Sequence, residues 1–86
     1  MRLLWEDGAW DDYLYWQTQD KKTLKRINSL IKDIQRNGIS EGIGKPEPLR
    51  GNLNGLWSRR IDDYNRIVYY EKDNIIYVIS CRDHYD

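Results

Sequence analysis

The 86-residue sequence has no phenylalanine and only one cysteine, one histidine, one methionine and two prolines. With no second thiol for Cys81, an internal disulfide is excluded, and the composition suits a reducing compartment. One cysteine and one histidine cannot furnish a structural zinc site, which takes about four such ligands. The 14 acidic residues leave a carboxylate-only magnesium site open, and metal-free, cofactor-free chemistry is the simpler expectation. Long apolar runs are missing too. Ile75–Ile79 is far too short to cross a bilayer, and MRLLWEDGAWDD turns acidic before the apolar core of a signal peptide could form. These absences predict a soluble, cytoplasmic protein with no membrane partner.

A chain this short makes one domain, residues 1–86, with little room for a large internal cavity, so its function is expected near the surface. Formal net charge is zero, yet residues 21–60 carry ten Lys or Arg against three Asp or Glu, and the remainder carries four against eleven. A neutral chain with a basic middle can turn one positive face to a polyanion; a helix with ordinary solvated lysines explains the same count.

Arg2–Trp5 reads as a short strand. Trp10, Tyr13 and Leu14 follow helical spacing, with Glu6, Asp7, Asp11 and Asp12 toward the favourable N-terminal end, which predicts a helix from about Asp7 to Thr18. Asp20 is an N-cap for the next segment, where Leu24, Ile27, Leu30, Ile31 and Ile34 recur at three- and four-residue steps while Lys21, Lys22, Lys25, Arg26, Lys32 and Arg36 fill the other face. Gly38 suits the residue just past its end. GISEGIGKPEPLRGNLNG follows, a long loop in which Pro46 and Pro48 stiffen the backbone on both sides of Glu47, with no helix or ladder to require it. From Leu56 the segments LWSRRI, RIVYY and NIIYVISCR read as strands, separated by DDYN and EKDN hairpin turns of about three to five residues. The fold class is α+β: two N-terminal helices packed on one face of a small antiparallel sheet.

Glu47, on rigid backbone, is a candidate general base; the bland reading is a loop charge neutralising Lys45 and Arg50. Arg59, Arg60 and Arg66 lie on adjacent strands. Since side chains alternate, only one of Arg59 and Arg60 can share a face with Arg66, and the hairpin register that decides it is not legible. An exposed arginine pair would suit phosphate; a salt bridge to Asp62, Asp63 or Glu71 is the alternative. His84 is either incidental on a fraying tail or, if the last strand anchors that tail, a proton donor with Asp83 and Asp86 nearby. Tyr85 either stacks on a base or covers the sheet edge. The four tryptophans and the other tyrosines are assigned to packing, Cys81 to a buried strand position, and Ser58 lacks the context of a nucleophile.

Taken in order, WDDYLYW, GKPEPL, WSRRI, RIVY and CRDHY closely resemble the YoeB toxins of the RelE superfamily, and the likeness runs from LLW to HY. The resemblance implies a RelE-like, microbial ribonuclease-like fold. It also implies a ribosome-dependent endoribonuclease that is the toxin of a type II toxin–antitoxin pair and cuts mRNA in the ribosomal A site. Carried over by motif, Glu47 of KPEP is the general base, Arg66 of RIVY the phosphate clamp, and His84 and Tyr85 the terminal pair. Lys45, Arg50 and Arg59 or Arg60 would hold phosphates of mRNA and ribosomal RNA. Implied partners are the ribosome with its mRNA, a YefM-like antitoxin and a second copy in a homodimer. Three positions depart from the pattern: Asp86 extends past the tyrosine, Asn65 stands before the arginine where a histidine can occur, and Gly51 replaces a bulkier residue. An inactive relative that binds RNA or antitoxin without cutting is the alternative function.

Overall fold

The helical periodicity of the basic segment is realised in the second of two helices, the 17-residue α2 (Lys21–Asn37), which buries Ile27, Leu30, Ile31 and Ile34 along one side. Asp20 caps it: the carboxylate accepts from the Lys22 N–H at 3.1 Å and the Thr23 hydroxyl at 2.8 Å, and these bonds hold its pKa below the ordinary value. Gly38 ends the helix at a φ of 90°, a conformation that costs glycine little. The computed structural model describes residues 1–84.

Helix α1 (Asp7–Gln19) is less amphipathic than its spacing implies. Ala9 is its buried residue, whereas Trp10 and Leu14 are 45% and 43% exposed. Trp10 packs its ring on Tyr13 and Trp5, with centroids 5.8 and 6.0 Å apart. Asp12 does not serve the helix dipole. It accepts the Cys81 N–H at 3.0 Å, and burial raises its carboxyl pKa against the pull of that N–H and of Arg82.

Five strands form the sheet: β1 (Arg2–Trp5), β2 (Glu47–Pro48), β3 (Trp57–Arg60), β4 (Arg66–Lys72) and β5 (Ile75–Ser80), in the order β1-β5-β4-β3-β2. The α+β class holds, with two corrections. First, β1 runs parallel to β5, Leu3 opposite Ile76 and Trp5 opposite Val78, so the sheet is mixed rather than antiparallel throughout. Parallel neighbours need a crossover, and here both helices and three strands supply it. Secondly, Glu47 is not free of a ladder: β2 pairs antiparallel with β3, Glu47 opposite Ser58 and Pro48 opposite Trp57. Pro48 has no N–H to donate, which an edge strand tolerates.

The meander β3–β4–β5 is antiparallel as the turn signals indicate. Its second turn is tighter than EKDN suggests, because Asp73 and Asn74 take left-handed φ of 53° and 63° and close a two-residue hairpin. One sheet face, with Ile67, Tyr69, Ile76 and Val78, meets Ala9 and the apolar side of α2 to form the core.

Candidate active site

The two neighbouring arginines of β3 have opposite fates. Arg59 points into the core face and is fully buried. Its Nε donates to the Tyr69 hydroxyl at 2.9 Å, Nη1 to Asp33 Oδ2 at 2.5 Å and Ile43 O at 3.1 Å, and Nη2 to Gly38 O at 2.8 Å and Glu41 O at 2.7 Å. All five guanidinium N–H donors are thus matched. The structure therefore removes Arg59 from the phosphate-binding candidates: it is a nail through the glycine-rich loop, not a surface cation. Gly42, at a φ of 120°, leaves the space for this, since a side chain there would fall on the Asp33 carboxylate. Desolvation pushes the Asp33 pKa up, but Arg59, the Ile43 N–H and Asn37 outweigh it and hold the carboxyl below its ordinary value.

Pinned in this way, the loop delivers Glu47 to the opposite face. Arg60 N donates to Gly44 O at 2.7 Å, Lys45 turns the chain at a φ of 53°, and β2 begins two residues later. Cross-strand register then sorts the side chains. Ser58 lies opposite Glu47 and Arg60 opposite Arg66, so Glu47, Ser58, Arg60 and Arg66 project from one face, opposite Arg59. Glu47, Ser58, Arg50 and Arg66, with Pro48, Leu49 and Leu53, line a cleft of about 310 Å³, the lower end of the range for small-ligand sites. Lys45 and Arg60 are exposed and do not line it.

The C-terminal tail is docked rather than frayed through residue 84. Trp16 Nε1 donates to Cys81 O at 2.9 Å, and the Arg82 guanidinium sits 3.7 Å over the Tyr15 ring. The buried Cys81 thiol is pushed up to about 12 by desolvation and the nearby Asp12 charge, which suits a packing role. Next, Arg66 N donates to Asp83 O at 2.8 Å, Asp83 N donates to Asn65 Oδ1 at 2.7 Å, and the His84 ring meets the Tyr64 ring edge-on at 4.5 Å. His84 does not line the cleft itself, but its backbone neighbour is bonded to the Arg66 backbone. Tyr85 lies outside the described residues, as does Asp86.

Arg66 is aimed by the turn before it. Its Nη1 donates to Asp62 O at 2.9 Å and Asn65 O at 3.2 Å. The Asp62 carboxylate, desolvated yet held below its ordinary pKa by the Asn65 and Tyr64 N–H groups and the Asn65 side chain, organises that turn. Sequence reasoning noted Asn65 only as a departure from the family pattern and set Ser58 aside, giving neither a place in the site. The Asp–x–x–Asn turn composition was the available signal for the first; for the second only the register could have shown it. Among the described residues no group of three His, Cys, Asp or Glu side chains converges on a common point where a metal ion could be held. The arrangement offers a carboxylate and a guanidinium across one cleft, with an imidazole tethered to the guanidinium's own strand: a proton acceptor, an anion site and a second titratable group.

Known proteins share this whole architecture. The family described as YoeB-like toxin of bacterial type II toxin-antitoxin system matches residues 5–85. Toxin YoeB of Escherichia coli K12 is 53% identical over 85 residues, covering 99% of this chain and 100% of its own. A YoeB dimer structure from Staphylococcus aureus superposes with a TM-score of 0.92 at 49% identity, covering 99% of this chain and 98% of that one. A YoeB–YefM complex from the same organism gives 0.91 at 48% identity with the same coverage.

Proposed function

Since the chain belongs to the YoeB-like toxins of bacterial type II toxin–antitoxin systems, we propose that it arrests translation as a ribosome-dependent endoribonuclease that cuts mRNA in the A site. The observation that carries this reading is the shared cleft: Glu47 and Arg66 face it from two strands with Ser58 between them.

In the proposed reaction Glu47 takes the proton of a ribose 2′-hydroxyl, and the freed oxygen attacks the adjacent phosphorus. Negative charge builds on the phosphoryl oxygens, where the Arg66 guanidinium offers planar, permanently charged donors. His84 gives a proton to the departing 5′-oxygen. The bond to that oxygen breaks, leaving a 2′,3′-cyclic phosphate and a 5′-hydroxyl end, and none of the three roles requires a metal ion. Lys45, Arg50 and Arg60 hold flanking phosphates of the message or of ribosomal RNA, and Tyr85 stacks on a base. The place of action is the cytoplasm, and the partners are a YefM-like antitoxin and a second copy of the toxin; solved relatives include a YoeB dimer and YoeB–YefM complexes.

Ribosomes programmed with a short message, incubated with the protein and analysed at the new 3′ ends, test this directly. Cleavage in the A site with a cyclic phosphate terminus is expected, and Glu47→Ala or His84→Ala should each slow it by about 10²–10⁴-fold. An intact message on ribosomes that retain the protein would reduce it to a binding module.

A further inference from the structure

We propose that Asn65 is the positioning residue that sets the direction of the catalytic tail, an inference that rests on the role given above to His84. The side-chain amide is used at both ends. Nδ2 donates to Asp62 Oδ2 at 3.0 Å and Oδ1 at 3.3 Å, while Oδ1 accepts the Asp83 N–H at 2.7 Å. Its backbone is committed as well: N donates to Asp62 Oδ1 at 2.6 Å, and O accepts from the N–H groups of Ile61 and Asp62 and from Arg66 Nη1. One residue therefore joins the turn that aims Arg66 to the tail that carries His84.

The tail needs such a hold. Asp83 has a φ of 65°, a left-handed conformation that non-glycine residues keep only when their surroundings impose it. Two bonds impose it here, from Asp83 N to Asn65 and from Arg66 N to Asp83 O. That bend determines where residue 84 leaves the chain and brings the imidazole edge-on to Tyr64, the neighbour of Asn65. The Asn65 carboxamide donates to the Asp62 carboxylate and accepts from the Asp83 N–H at once. An aspartate would accept only, and an alanine would do neither. Without the bridge, the imidazole loses its fixed relation to the Arg66 strand, and a displacement of about 1 Å at a reacting group can cost on the order of 10²-fold in rate.

Two readouts test the role on the full-length protein. In single-turnover cleavage on programmed ribosomes, Asn65→Ala should lower the maximal rate about 10- to 100-fold while leaving the half-saturating ribosome concentration unchanged. Adding His84→Ala to Asn65→Ala should then cost little more than His84→Ala alone, because both act through one imidazole. Independently of cleavage, His84 is the only histidine, so its ring resonances are unambiguous. In Asn65→Ala they should move away from the ring-current position set by Tyr64, with faster amide exchange at Asp83. Asn65→Asp, which keeps the acceptor for Asp83 and gives up the donors to Asp62, should fall between parent and Asn65→Ala in both readouts, and it carries the test alone if Asn65→Ala does not fold. Losses that multiply in the double variant, or imidazole resonances that coincide with the parent's, overturn the inference. If the parent protein leaves the message uncut, the endoribonuclease reading fails, and the resonances alone decide whether Asn65 holds His84.

Discussion

A buried guanidinium with every donor matched tolerates no partial repair. Among the described residues Asp33 supplies the one negative charge in contact with Arg59, so Asp33→Asn should lower unfolding free energy by about 3 kcal/mol, the cost of leaving a buried charge uncompensated. The pH dependence has a definite sign. The Asp33 pKa is lowered in the native state from its ordinary 3.8, so its contribution is complete above that value and fades as pH falls through the lowered native one. Urea midpoints of parent and Asp33→Asn should therefore converge in acid and stay apart at neutral pH. At Cys81, a thiol pushed up to about 12 should resist alkylation at pH 8 in the folded protein and react once urea unfolds it, as mass spectrometry of the trapped adduct would show. The sequence announced Glu47 and Arg66 because prolines and motif order mark them. It could not separate Arg59 from Arg60, since two identical side chains on alternating faces differ only in what lies above each face, and Asp33 is 26 residues away.

Elements differ in what they contribute. Helix α2 was legible because its period, cap and stop signal agree, and it carries stability: Leu30→Ala, at a fully buried position, should cost about 2–5 kcal/mol. Strand β2 was not legible, because two residues with a proline between strand signals give no period at all. Its value is positional. Pro48→Ala should reduce stability by about 1 kcal/mol or less but slow message cleavage more than Leu30→Ala does when both are assayed well below their melting temperatures. Equal slowing in the two variants would show that β2 contributes nothing beyond stability. The parallel placement of β1 was equally hidden, since an edge strand of four residues looks the same whichever way its neighbour runs.

Charge separation belongs to the molecule as a whole. Lys45, Arg50 and Arg60 of the basic middle stand with Arg66 of β4 on or beside the cleft, while Asp12 of α1 is engaged in an internal bond to the Cys81 N–H. Four cations on a single-stranded RNA predict a log–log salt slope near −3, at roughly 0.7 per contacted phosphate. Fluorescence anisotropy with a short labelled RNA across a salt series measures it, and a flat series would mean that these cations are not the binding surface.

The sheet order also governs the timing of biogenesis. The last strand to be synthesised, β5, is inserted between the first, β1, and β4, and the tail with His84 follows it immediately. A nascent chain arrested before Ile75 has no partner strand for β1 and lacks His84, so the stretch that closes the sheet also brings in the imidazole. Protease protection of arrested chains should appear only after Ser80 has emerged. The strand that joins β1 to the rest of the sheet is thus the last of the five to become available as the chain lengthens.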